Sequence, residues 1–169
     1  MNDTMKLKKI ELTRQTNFIL ALLLIHFVFF GYLCNVYLKS IGVRVLFLYQ
    51  VMFTPASYLS AVILGLIVYI MVIREHFFEY GIRNSIWLIP FIIIESWIWY
   101  WFIIERFDIT IIGAYFLRVE SYITILSLLG INILAAFLAA LTKETYRAYT
   151  KKAESIKIKK TSDDEGLRR

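Results

Sequence analysis

The chain has 169 residues, of which 59% are hydrophobic, 17% aromatic and only 19% charged; an ordinary soluble domain is about a quarter charged. Mean hydropathy is +0.64 and net charge +6. The charges fall mostly at the two ends and in short connectors, which excludes a separate soluble domain and points the basic excess at anionic lipid headgroups rather than nucleic acid.

Residues 1–15 are polar and basic, with Lys6, Lys8, Lys9 and Arg14, and read as a short interfacial or disordered lead. Residues 17–38 form the first apolar run, with His26 near its middle and Asn35 near its far end. It is longer than a signal peptide's core and lacks a small-residue cleavage site, so it reads as an uncleaved span. The single cysteine, Cys34, lies here and excludes an intrachain disulfide.

A connector at 39–44 leads to an apolar run, 45–73, that is too long for one upright span. Thr54-Pro55 falls inside it. Proline removes a backbone donor and clashes with the preceding turn, so the run should break there. The expectation is an interfacial or tilted lead over 45–54 and a core span over 55–73. In that span Ser57, Ala61 and Gly65 recur every four residues, a spacing that lets two helix backbones approach closely in lipid.

A charged connector, 74–84, precedes the third span, 86–104, whose one acidic or basic side chain is Glu95 at its middle position. A charged carboxylate at that depth is costly, so it is usually paired, neutral or turned to an interior. Residues 105–118 are charged at their ends and apolar between, as in an amphipathic surface loop. The fourth span, 119–142, repeats Asn132, Ala136 and Ala140 every four residues. The tail, 143–169, carries Lys143, Arg147, Lys151, Lys152, Lys157, Lys159 and Lys160, a set that reads as binding acidic headgroups. Its helical pattern is expected to end near Lys160, with a disordered tip after it.

These elements predict an all-α integral membrane protein: a four-helix transmembrane domain over 1–142 and a basic cytoplasmic tail over 143–169. Four spans put both termini on one side. Fifteen of the 19 Lys and Arg residues fall on that side, which makes it the cytoplasm of a plasma (inner) membrane.

Candidate chemistry centres on Glu95. One reading is a protonatable group that exchanges its proton for a cation. The plainer reading is a polar clamp, hydrogen-bonded to a neighbouring helix or a partner. His26 and Asn132 are expected at a comparable depth, so the three could form one intramembrane polar cluster, and a His–Glu pair could relay a proton. Trp97, Trp99 and Trp101 alternate and therefore point to different faces, which suits an aromatic belt better than a cation cage. Glu75, His76 and Glu79 are metal-ligand types, but without a second histidine they make a weak zinc site and read as a solvated turn. No metal, cofactor or catalytic residue is assigned, because no nucleophile elbow, phosphate loop or zinc-protease helix occurs. Small multidrug-resistance exporters are similar in having four short spans and a membrane Glu. Theirs lies in the first helix of a shorter chain, so the likeness is architectural and no residue is carried over.

The leading expectation is a non-enzymatic accessory subunit or assembly factor of a larger membrane complex, its partner another membrane protein or a second copy. The alternative is a proton- or cation-coupled transporter or channel, acting as a homodimer through Glu95 and His26. A third is a toxin-like or defence-associated pore.

Overall fold

The structure is a computed structural model. It describes the backbone of residues 2–39, 42–53, 58–75 and 77–166, and the side chains of 12–39, 42, 44–53, 58–75, 77 and 79–150. Among the described residues the chain is all helical, with no strand. Three helical segments are long and apolar enough to cross a membrane: Leu12–Tyr37, Glu79–Ile104 and Val119–Thr150.

Helix α1, Asn2–Leu24, takes in the basic lead expected to be interfacial or disordered. It runs on without interruption into Ile25–Tyr37, which is wound as wide π-type turns. Leu38 N donates to Leu33 O at 2.9 Å, five residues back, and Asn35 Nδ2 donates to Phe30 O at 2.7 Å. Such turns are rare and are concentrated at functional sites. Ala21, Ile25, Phe29, Phe30, Leu33 and Cys34 line the buried side of this element. The chain then turns at Lys39, whose φ of 49° is left-handed, and at Gly42, whose φ of 76° suits glycine.

The stretch expected to be an interfacial or tilted lead is, over its described residues 45–53, built into the bundle. It forms two short helices, α2 (Val43–Leu46) and α3 (Leu48–Met52), broken at Phe47. Val45, Leu46, Phe47, Leu48, Val51 and Met52 are all buried. Helix α2 packs on the helix that carries Glu95, and α3 packs on the last helix. With apolar side chains pointing in every direction, the stretch fits an interior better than a two-faced interface. Thr54, Pro55 and Ser57 lie outside the described residues.

Helix α4 (Tyr58–Arg74) has 17 residues and spans about 25 Å. It is central, packing on α1, the π-type segment, α5 and α7. Helix α5 (Phe78–Ile104) absorbs most of the expected 74–84 connector and carries Pro90 inside it. Two features close the α4–α5 turn. Gly81 lies so near Val72 that a Cβ on it would stand 2.8 Å from Val72 Cγ1, and Asn84 Nδ2 donates to Glu75 Oε1 at 3.4 Å. Helix α6 (Thr110–Phe116) occupies part of the expected surface loop and buries Tyr115. Helix α7 (Val119–Gly166) is 48 residues long, so the helix continues through residues 161–166 of the tip expected to be disordered.

The α4–α7 contact is the largest between helices. Gly65 faces Ile131, and Tyr69 Oη donates to Thr142 Oγ1 at 3.0 Å. Both positions advance in the same sense, so the two helices run parallel. On α7 the buried face is Ser121, Thr124, Leu128, Asn132, Ala135, Ala136 and Ala139, with Ala140 half-buried at its edge. On α4 the buried face is Ser60, Leu64, Ile67, Val68, Met71 and Val72; Ala61 and Gly65 sit beside it and are half-buried.

Candidate functional site

Helix α5 is the element on which the polar groups converge. Its buried face is Ser85, Leu88, Ile89, Ile92, Ile93 and Ser96. A neighbouring stripe, Trp87, Phe91, Ile94 and Phe102, is exposed, and Ile98 within it is half-buried. Glu95 lies on the border between the two faces, half-buried. Its Oε2 is covered and has no hydrogen-bond partner among the described residues. The indole Nε1 atoms of Trp97 and Trp99 are likewise buried and unpartnered. Three orphaned polar atoms thus occur within five residues of one helix, where burial without a partner costs roughly 1–3 kcal/mol per group.

The two indoles turn to opposite sides. Trp99 faces the π-type segment: its ring centroid lies 5.3 Å from that of His26, and Gly31 leaves it room. Trp97 meets Tyr115 edge-on at 5.6 Å, and Tyr115 stacks on Phe47 at 5.9 Å with 7° between the ring planes. The Tyr115 hydroxyl has no partner at hydrogen-bond geometry, though the Ser121 and Thr124 hydroxyls lie beside it. Burial pushes it up to about 12, and those two hydroxyls offset part of the rise. The third indole, Trp101, donates to the Asp108 carbonyl at 3.0 Å and pins the loop between α5 and α6. Asp108 Oδ1 in turn accepts from the Thr110 hydroxyl at 2.6 Å and the Thr110 backbone at 3.0 Å. These two bonds, with Arg106 nearby, hold the Asp108 carboxyl below its ordinary value.

The expected cluster of Glu95, His26 and Asn132 is not brought together. Phe18 packs on Phe91 at 5.5 Å and His26 on Trp99 at 5.3 Å, so both contacts keep one parallel register between α1 and α5. That register sets Glu95 level with Leu22, one turn inward of His26, and no hydrogen bond or ion pair joins the two side chains. Asn132 is farther away still. Its Nδ2 donates to the Ser85 carbonyl at 2.8 Å, about 15 Å along α5 from Glu95.

Of the helix-packing residues, Gly65 meets α7 directly and Ala136 is 1% exposed. Lys143 does not stand in the solvated tail: it is half-buried and donates through Nζ to the Glu75 backbone carbonyl. Arg147 is exposed. The side chains of Lys151, Lys152, Lys157, Lys159 and Lys160 lie outside the described residues, as does His76. Among the described residues no group of three His, Cys, Asp or Glu side chains could hold a metal. Glu75, expected in a solvated turn, is instead buried, and its node with Asn84 and Lys143 joins stretches of chain that no local sequence pattern links.

Chemically, a carboxyl oxygen that is covered but unpaired, at the edge of an exposed apolar face, can retain a proton or accept a hydrogen bond from a group brought against that face. The chain matches no family model, no curated protein and no solved structure.

Proposed function

We propose that the protein is a four-span, non-enzymatic accessory subunit or assembly factor of a larger membrane complex, in a plasma (inner) membrane, with both termini cytoplasmic. Support for four spans comes from the parallel run of α4 and α7, which four alternating spans require, and from the 15-to-4 division of basic residues. The observation that carries the functional reading is the position of Glu95. Its covered, unpartnered oxygen borders the exposed stripe of Phe91, Ile94 and Phe102. Lipid tails offer that oxygen no donor, whereas a helix of another membrane protein, or of a second copy, laid on the stripe can.

The test is a photo-crosslinking residue at Ile98, within the stripe, in intact membranes. An adduct of one discrete mass is expected, and Glu95→Ala should remove it while leaving insertion intact. A crosslinked product with lipid alone, together with purification as a lone monomer in mild detergent, overturns the proposal.

A second reading, a proton- or cation-coupled transporter or channel, draws on the three orphaned polar atoms of Glu95, Trp97 and Trp99. It predicts that Glu95→Gln abolishes pH-dependent flux in liposomes while the protein still inserts. Unchanged flux removes it.

A further inference from the structure

Helix α7 does not stop where its apolar part stops. Residues 121–142 carry no charge, Lys143 is the first charged residue after them, and the helix runs unbroken to Gly166. About 35 Å of helix therefore extends past Thr142. Residues 143–165 contain no glycine or proline, the usual causes of a bend, so this part continues the line of the span as a stem. Tyr146 and Tyr149, one turn apart on it, are 73% and 70% exposed. Among the described residues, then, nothing covers that face of the stem. A helix of this length takes most of its stability from packing an apolar stripe, not from propensity, so the stem calls for a body to pack on it.

The stripe has a definite register. Tyr146, Tyr149, Ala153 and Ile156 are spaced by three, four and three residues, the repeat of a coiled-coil seam. On the same register Lys152 and Lys159 hold positions on one flank of the seam and Lys157 a position on the other, whereas Glu144 and Glu154 fall on neither flank. Across residues 143–160 seven residues are basic and two acidic. A second copy, inserted the same way, would align in parallel and set Lys152 of one chain opposite Lys157 of the other, a like-charge contact. Anionic headgroups are out of reach of most of these charges. The headgroup layer is about 6 Å deep, while residues 157–160 stand about 21–26 Å past Lys143 along the helix. That is about two screening lengths beyond the headgroups at physiological salt. An acidic helix satisfies both the seam and its flanks. We propose that the stem docks an acidic amphipathic helix of a partner protein, its apolar stripe on the seam from Tyr146 to Ile156 and its carboxylates toward the positions of Lys152, Lys157 and Lys159. This surface lies outside the bilayer and does not depend on Glu95.

The test uses the full chain in nanodiscs of neutral phosphatidylcholine, titrated with a fluorescent designed peptide of about four heptads, with Leu and Ile at the seam and Glu on both flanks. Binding is read by anisotropy. The peptide should bind, and a scrambled peptide of the same composition should bind at least about tenfold more weakly. Tyr146→Ser with Tyr149→Ser should weaken binding about tenfold. Lys152→Glu, Lys157→Glu and Lys159→Glu together should lose the acidic peptide and gain a peptide with Lys on its flanks, an exchange that misfolding could not produce. Equal binding of the heptad and scrambled peptides overturns the proposal, as does unchanged binding in the tyrosine variant or failure of the exchange. A disulfide between two copies through Ala153→Cys, formed without peptide, reassigns the seam to self-association. A spin label on Ile158→Cys that reports headgroup depth in nanodiscs containing phosphatidylglycerol reassigns the stem to the membrane. Either reassignment overturns the acidic partner.

Discussion

The carboxamide of Asn132 on α7 donates to the backbone carbonyl of Ser85 on α5 at 2.8 Å, and both residues are fully buried. The acceptor is main chain, so the two serine and asparagine side chains contribute unequally. Asn132→Ala removes the donor and leaves a small void; it should cost about 1–2 kcal/mol. Ser85→Ala leaves the acceptor in place and removes only the hydroxyl's bond to the Ile82 carbonyl, so it should cost about half as much or less. Reversible unfolding of both variants in mixed micelles gives the comparison, and equal losses would refute this assignment.

Gly81 and Val72 make the second test. A Cβ at residue 81 would stand 2.8 Å from Val72 Cγ1, and a helical valine is fixed in one side-chain rotamer. Overpacking costs about 1–3 kcal/mol, against a helix-propensity gain of about 1 kcal/mol for alanine over glycine. The clash should win, making Gly81→Ala a net loss. In a Val72→Ala background the obstacle is gone and the same change should become stabilising. A double-mutant cycle in which Gly81→Ala has one sign throughout would show that the close approach does not matter.

Asp108 supplies the pH dependence. Its folded carboxyl is held low, first by the Thr110 hydroxyl and then by the Thr110 backbone. A depressed folded value means that the bond supports the fold above about pH 4, the unfolded value, and is lost as pH falls through the lower folded value. Acid titration should therefore loosen the α5–α6 loop and change the fluorescence of Trp101, whose indole donates to the Asp108 carbonyl. Asp108→Asn should abolish that transition, and Trp101→Phe should remove its signal. A transition that persists in Asp108→Asn assigns it to another group.

Glu105 ends α5 in a left-handed conformation, with φ 55° and ψ 24°. Side chains with a Cβ are strained there by about 1 kcal/mol, and the position is one that glycine ordinarily fills. Glu105→Gly should raise stability by up to about 1 kcal/mol, with Glu105→Asn giving a smaller gain. Thermal unfolding in detergent measures it, and a lowered midpoint for the glycine variant contradicts the strain.

The all-helical class and the three long apolar windows were legible because hydropathy and length alone decide them. Gly65, one of the residues at the four-residue spacing, lies beside Ile131 of α7. What escaped was anything that depends on how helices are set against one another. An apolar run such as 45–54 reads the same whether it lies in an interface or inside a bundle. Asn132 and Glu95 each sit near the middle of a span, yet the α5–α7 register sets Asn132 against Ser85 instead. Glu95 could be found from sequence, but its place on the border of an exposed stripe could not, because exposure follows from where α1 and α7 lie. Arg14 and Arg83 both lie against the Tyr80 ring, a group that joins residues nearly 70 positions apart, and no local pattern links them.

Helix α4 is the shortest of the main helices, about 25 Å against a hydrocarbon core about 30 Å thick. On the four-span reading, the lipids touching its exposed strip of Val62, Leu66 and Ile70 must compress to match it. The three longer helices around it meet no such mismatch. The bilayer collar of this protein is then uneven, dimpled on the α4 side, and the thickness of the host membrane becomes a variable that bears on that side alone.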